Sequence, residues 1–219
     1  MATEEQRQAY QAMVEASDKP IAILGVQGTS KDRTNGFHHK RTGAVAIFFN
    51  KARMQELKAK QDAGTISNKE AQELRGLQDK LFHVLTHETA HNLFDYGLDY
   101  LFNSYRKWRM TGEESKEAMM FQRLFDLARF SYQSLKNQPK AKGLYFFNTV
   151  GANFLEGNNT EIQLSDALTF VKEFFAEAMS NSQFQELLDK YDMSAKKKRK
   201  QVAANYRYRL IDKKGIRSI

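Results

Sequence analysis

The sequence predicts an α+β fold, rich in helix, with a short mixed sheet and one long helix that carries a His-Glu-x-x-His motif. Three observations predict it. Two short apolar runs near the start, PIAILGV (20–26) and AVAIFFN (44–50), have the length and composition of buried strands. Most of the later chain places its apolar residues three and four apart, the spacing of one helix face. The chain has 219 residues, 41% of them hydrophobic, with no internal repeat and no Gly/Ser linker, which suits one ordinary core.

Residues 3–16 fit a short amphipathic helix. The first strand follows, opened by Pro20, which is tolerated at a strand start. The polar, glycine-bearing stretch QGTSKDRTNGFHHKRTG (27–43) reads as a long loop, AVAIFFN as the second strand, and 51–62 as a polar helix. AGTISNKE then breaks one helix and starts another, because Ser67 with Glu70 three residues on forms a capping box. Leu74, Leu77, Leu81, Val84 and Leu85 continue that helix to about Tyr96, and Gly97 is placed to end it. A short helix is expected over 98–108 and a long one over 113–136. LYFFNTV (144–150) is a third strand candidate. Helices are expected again from Asp166 to about Met179 and from a cap at 180–183 to near Asp192.

The chain has no cysteine, which excludes disulfides, thiolate metal sites, iron–sulfur clusters and cysteine nucleophiles. The polar start MATEEQRQAY does not resemble a signal peptide, and no apolar run reaches the ~18 residues of a membrane span. A cytoplasmic location, with virion association as the alternative, is therefore expected, with no membrane partner. Charge is uneven. Residues 194–219 hold ten Lys and Arg against one acid, Asp212, which leaves 24 basic and 25 acidic residues elsewhere. The expected division is a near-neutral body over 1–193 and a basic tail over 194–219.

The chemistry centres on FHVLTHETAHNLFD (82–95). His87 and His91 lie four apart on a helix, so both imidazoles share a face and can grip one ion. Glu88 is one step round the helix, placed to reach a metal-bound water rather than the metal. A catalytic zinc takes three protein ligands, so a third must come from elsewhere. A histidine six residues past His91 would make a metzincin, but that position is Gly97 and position 101 is Leu101, which excludes that class. FVKEFFAEAMSN (170–181) supplies Glu173 and Glu177 on one helix face. One can bind the metal while the other accepts the N–H of a ligating histidine. Phe170, Phe174, Phe175 and Met179 mark that helix as largely buried, and buried glutamates need partners.

HETAH followed by EFFAEA resembles the gluzincin metallopeptidases. FFAEAMSNSQFQELL (174–188) is similar to the matching helix of the anthrax lethal factor family, and to segments of the zincin-like metallopeptidase domains in phage and plasmid polyvalent proteins. The resemblance covers 81–95 and 170–188 well and the preceding strands only loosely. It implies a zincin-like fold, one Zn²⁺ held by His87, His91 and Glu173, Glu177 as the partner of a ligating histidine, and Glu88 as general base. The lethal factor family also carries a tyrosine shortly before the ligand glutamate, where this chain has Asp166. By the same resemblance the strand 44–50 is the candidate edge for an extended peptide substrate, while its continuous apolarity fits a buried central strand equally well.

Tyr145, on the expected strand LYFFN, and His83, one turn before His87, are the candidates for a transition-state or substrate contact, with core packing and a structural histidine as their ordinary roles. His38 and His39 are expected to be solvated in their loop. In the tail, Lys196, Lys197, Lys198, Arg199, Lys200, Arg207 and Arg209, interleaved with Tyr206 and Tyr208, suit phosphate contact and base stacking. The expected function is zinc-dependent endopeptidase hydrolysis of a polypeptide. The alternative is a catalytically weak zincin-fold binding protein, associated with phage or mobile elements, that contacts nucleic acid or a virion component through the tail.

Overall fold

The structure is a computed structural model that describes residues 4–16, 22–27, 35–39, 41–156 and 164–190. The basic tail, with all seven of its candidate cations, lies outside the described residues.

Helix α1 (Glu4–Glu15) precedes a three-stranded mixed sheet of β1 (Ile23–Gln27), β2 (Asn35–His39) and β3 (Ala44–Phe49). Their order is β1-β3-β2. β1 runs parallel to β3, with Ile23 opposite Val45, and β2 runs antiparallel to it, with His38 also opposite Val45. β3 is therefore central, which corrects the expectation that residues 44–50 form a substrate edge. Its run of Val45, Ala46 and Ile47 is buried, and its backbone is hydrogen-bonded on both sides. The stretch 27–43 is likewise not all loop, because it contains β2. NGFHH hid its strand character because the two residues it turns toward the interior, Gly36 and His38, do not read as core.

After α2 (Lys51–Asp62) comes α3, a single helix over Asn68–Thr111. The capping box of Ser67 and Glu70 starts it as expected. Gly97 does not end it, and the helix expected over 98–108 is its continuation. The buried positions His91, Asp95, Leu98, Phe102 and Tyr105 keep helical spacing straight through Gly97. A glycine inside a helix costs about 1 kcal/mol relative to alanine, less than the burial of Leu98, Phe102 and Tyr105 returns at about 1.5–3 kcal/mol per large apolar side chain. The helix ends at Gly112, whose φ of 79° is left-handed and whose N–H bonds to the Trp108 carbonyl.

Helix α4 (Lys116–Leu135), capped by Ser115, buries Phe121, Phe125, Ala128 and Tyr132 along one face. A 3-10 turn (Ala141–Gly143) and a π-helix (Phe146–Glu156) follow, and the π-helix takes up most of the stretch 144–150 expected as a third strand. A short apolar run does not distinguish strand from buried helix by itself. Here Phe146 enters an aromatic cluster with Phe170, Phe174 and Phe184, at ring-centroid distances of 5.2, 5.6 and 5.4 Å. Gly151 lies so close to the Tyr132 ring that a Cβ there would stand 1.9 Å from Cε2, so only glycine fits.

Helix α5 (Leu164–Ser180) packs on α3, and α4 packs on both. Helix α6 (Ser182–Lys190) is capped by the Asn181 side chain, whose Oδ1 accepts from the backbone N–H groups of Gln183 and Phe184. β2 and β3 also lie against α3. Met13 of α1 packs with Ala90 of the motif and Ala176 of α5. The fold is thus helix-rich α+β, with the motif of α3 placed between the sheet and α5. No helix among the described residues is long and apolar enough to cross a membrane.

Candidate metal centre

The motif His87–His91 lies within α3, so its two imidazoles project from adjacent turns of one face. His91 Nε2 and His87 Nε2 stand 3.2 Å apart. Across from them α5 presents Glu173, which straddles the pair: Oε2 is 3.4 Å from His87 Nε2 and Oε1 is 3.4 Å from His91 Nε2. Helix packing thus joins three residues separated by about eighty positions into one group able to hold a metal ion.

The proton positions follow from the outer ring nitrogens. The His91 Nδ1–H donates to Asp95 Oδ1 at 3.2 Å. Asp95 is fixed in turn by Lys172, whose Nζ lies 3.0 Å from Asp95 Oδ2 and 2.8 Å from Asp99 Oδ1. On the other side, His87 Nδ1 faces Ser180 Oγ at 3.5 Å and Glu177 Oε1 at 3.7 Å. The Ser180 hydroxyl proton goes to the Ala176 carbonyl, which leaves its oxygen to accept from His87. Glu177 is almost fully buried, 1% exposed, and its Oε2 accepts from Asn181 Nδ2 at 2.9 Å. With both Nδ1 atoms facing acceptors, two Nε2 lone pairs and a carboxylate converge on one point. Three acceptors converge stably only around a cation, a proton or a metal ion.

The metal-free charges agree. Burial is the largest influence on His91 and pulls its pKa down, but Asp95 and Glu173 outweigh it and raise it from the ordinary 6.5 to about 9. Burial pushes Glu173 up, and the two histidines overcome that, leaving it at about 2. For Asp95, burial also raises the value, while His38, His91 and Lys172 drive it well below the carboxylate range. In the metal-free fold a proton on His91 therefore occupies the position a metal would take. Its contribution to stability is complete below pH 6.5 and fades as pH rises through about 9, while metal affinity rises over the same window. Titrating zinc into the metal-free protein near neutral pH is expected to release about one proton per chain, and almost none above about pH 10. Calorimetry in buffers of different ionisation enthalpy measures this, and zinc uptake without proton release at neutral pH would contradict the arrangement.

Glu88, beside His87 on α3, is not among the convergent ligands. Its side chain is 12% exposed and its Oε2 lies 3.8 Å from His38 Nδ1. His83 Nδ1 is 3.3 Å from the Ser180 carbonyl and its Nε2 3.9 Å from Glu177 Oε1, so it braces α3 against the end of α5. Tyr145 lies at the mouth of the π-helix rather than on a strand and is 55% exposed. Burial first, then the carboxylates of Glu173 and Glu177, raise its pKa, which keeps the phenol protonated and puts it within electrostatic reach of the centre.

The structure adds residues that the sequence reading did not select. Asp95 was legible as a residue four beyond His91 on the same helix face. Lys172 and Ser180 flank the two glutamates on α5. His38, expected to be solvated, is half-buried on β2, with its ring stacked on His91 at 5.3 Å and 8°. His39 does point outward, with Nδ1 2.8 Å from Thr42 Oγ1. Among the described residues two further groups able to hold a metal, His38/His91/Asp95 and His83/His87/Glu177, each share a histidine with the first. Comparison with protein-family models, curated proteins and solved structures finds no match for this chain.

Proposed function

We propose that this chain is a zinc-dependent peptidase of zincin type that hydrolyses peptide bonds in an extended polypeptide. One observation carries the reading. Zinc bonds of 2.0–2.1 Å in tetrahedral array put donor atoms about 3.3 Å apart, and His87, His91 and Glu173 approach one another at 3.2, 3.4 and 3.4 Å. Two imidazoles and a carboxylate suit zinc and leave a fourth position free.

When bound, the metal supplies Lewis acidity, lowering the pKa of a water and polarising a substrate carbonyl. His87, His91 and Glu173 would hold it. Asp95 and Ser180 fix the tautomers of the two histidines, so that both Nε2 lone pairs point inward. Glu88 takes the proton of the attacking water on its carboxylate and delivers it to the departing amine. The protonated phenol of Tyr145 is the candidate donor to the developing oxyanion. Asp166, where the lethal factor family carries its tyrosine, bears no phenol to do so. Among the described residues β2 is an edge strand, and it lies against the motif-bearing part of α3. An extended peptide added along β2 gains backbone hydrogen bonds and passes over the centre.

The test pairs metal analysis with a peptide-library digest. About one zinc per chain, and cleavage that stops with chelator and returns with zinc, are expected. A protein that takes up no zinc overturns the proposal. The charge excess in 194–219 favours an additional nucleic-acid contact through the tail, read out as a mobility shift with steep salt dependence that disappears when those residues are removed.

A further inference from the structure

Deepening the peptidase reading, on which it rests, we propose that His38 is a positioning residue: from the edge strand it ties the base Glu88 to Asp95, the carboxylate that orients the ligand His91. Four observations carry this.

First, the ring has a defined place. It stacks on His91 with an interplanar angle of 8° and a centroid distance of 5.3 Å. Its side chain is only 15% exposed.

Second, its two nitrogens face two carboxylates. Nδ1 is 3.8 Å from Glu88 Oε2, and Nε2 is 3.4 Å from Asp95 Oδ2. An imidazole between two carboxylates offsets their mutual repulsion and holds both toward itself. Because Oε2 of Glu88 turns toward His38, its other oxygen is left for the water.

Third, His38 Nε2 is buried without a well-directed hydrogen bond. A buried polar atom in that condition costs stability, which a purely structural residue would gain nothing by keeping. Contact with charged groups of the centre accounts for it.

Fourth, the strand is brought down onto the motif by a glycine made for that approach. A Cβ at Gly36 would stand 2.6 Å from Val84 Cγ1 and 2.7 Å from Glu88 Cγ. Any larger residue would lift β2 and move His38 away from both carboxylates. The close approach of Gly36 and the reach of His38, two residues on along the same strand face, thus act as one device.

The experiment uses the full chain with four variants: His38→Ala, His38→Asn, His38→Gln and, as a control, the outward-facing His39→Ala. Zinc affinity is measured by chelator competition, and kcat and KM on a cleaved peptide. His38→Ala is expected to weaken zinc about tenfold or more, the effect of losing a group that orients a ligand, and to lower kcat about tenfold with KM little changed. His38→Asn keeps a donor near the Nδ1 position and should restore kcat in part. His38→Gln reaches toward Asp95 and should restore zinc affinity in part. His39→Ala should match the wild type in both. Thermal melts identify any variant that fails to fold, and the Asn and Gln variants then decide. A wild type that binds zinc and cuts, with His38→Ala within twofold on both measures, overturns the role of His38 and leaves the peptidase reading standing. A wild type that binds zinc without cutting overturns the peptidase reading, and zinc affinity alone then decides the role of His38. A wild type that binds no zinc overturns both.

Discussion

Glu88→Gln is expected to lower kcat for peptide cleavage by about 10²- to 10⁴-fold while one zinc per chain remains bound. Glutamine matches glutamate in size and shape, so the packing of Glu88 Cγ beneath Gly36 survives. What it lacks is a carboxylate able to take a proton from water. Since Glu88 is not among the convergent ligands, metal affinity should change little. Steady-state kinetics with metal analysis on the same sample separates the two effects. Loss of zinc together with activity would show that Glu88 belongs to the ligand set instead, and full retention of activity would remove it from the chemistry.

His87→Ala is expected to abolish zinc-dependent stabilisation. A ligand present at one hundred times its Kd adds about 2.7 kcal/mol to folding stability, so the wild type should melt higher with zinc than without, and the variant should melt at one temperature in both conditions. His87 is the histidine that faces both sides of the group, with Glu173 near one nitrogen and Ser180 and Glu177 near the other. Its loss also removes one of the two partners that hold Glu173 at about 2. That carboxylate's contribution to stability is present above its ordinary 4.5 and lost as pH falls through about 2, so the metal-free variant should lose stability at a higher pH than the wild type. Differential scanning calorimetry across pH measures both effects. A zinc-dependent rise in melting temperature that survives in His87→Ala would move the metal away from this group.

Much of the centre was legible because its parts are short-range. The two histidines and Glu88 follow from helical spacing, and the capping box at Ser67 fixed where that helix begins. Glu173 and Glu177 were legible as acids on a helix face otherwise apolar. Asp95 obeys the same i+4 rule as the histidines and was open to the same reasoning. His38 was not. Its strand has neither alternating apolar residues nor a β-branched run, and nothing local says that Gly36 lies against Glu88. Nor was the course of the chain past Gly97 legible, since a glycine after a patterned run is also a common helix terminator.

The sequence alone determined which reactive side chains lie near one another: imidazoles four apart, a carboxylate beside them, two glutamates on a second buried helix, and no thiols. Those are consequences of helical geometry and composition, which act over a few residues. The tertiary structure decided which atoms meet. It seats Glu173 across both Nε2 atoms and turns His87 Nδ1 toward Ser180 as well as Glu177. It makes β3 the centre of the sheet and β2 its edge, and it carries α3 unbroken past Gly97 to bury Leu98, Phe102 and Tyr105. Each of these depends on burial and pairing between segments far apart in the chain, where the free energy of packing overrides local preference.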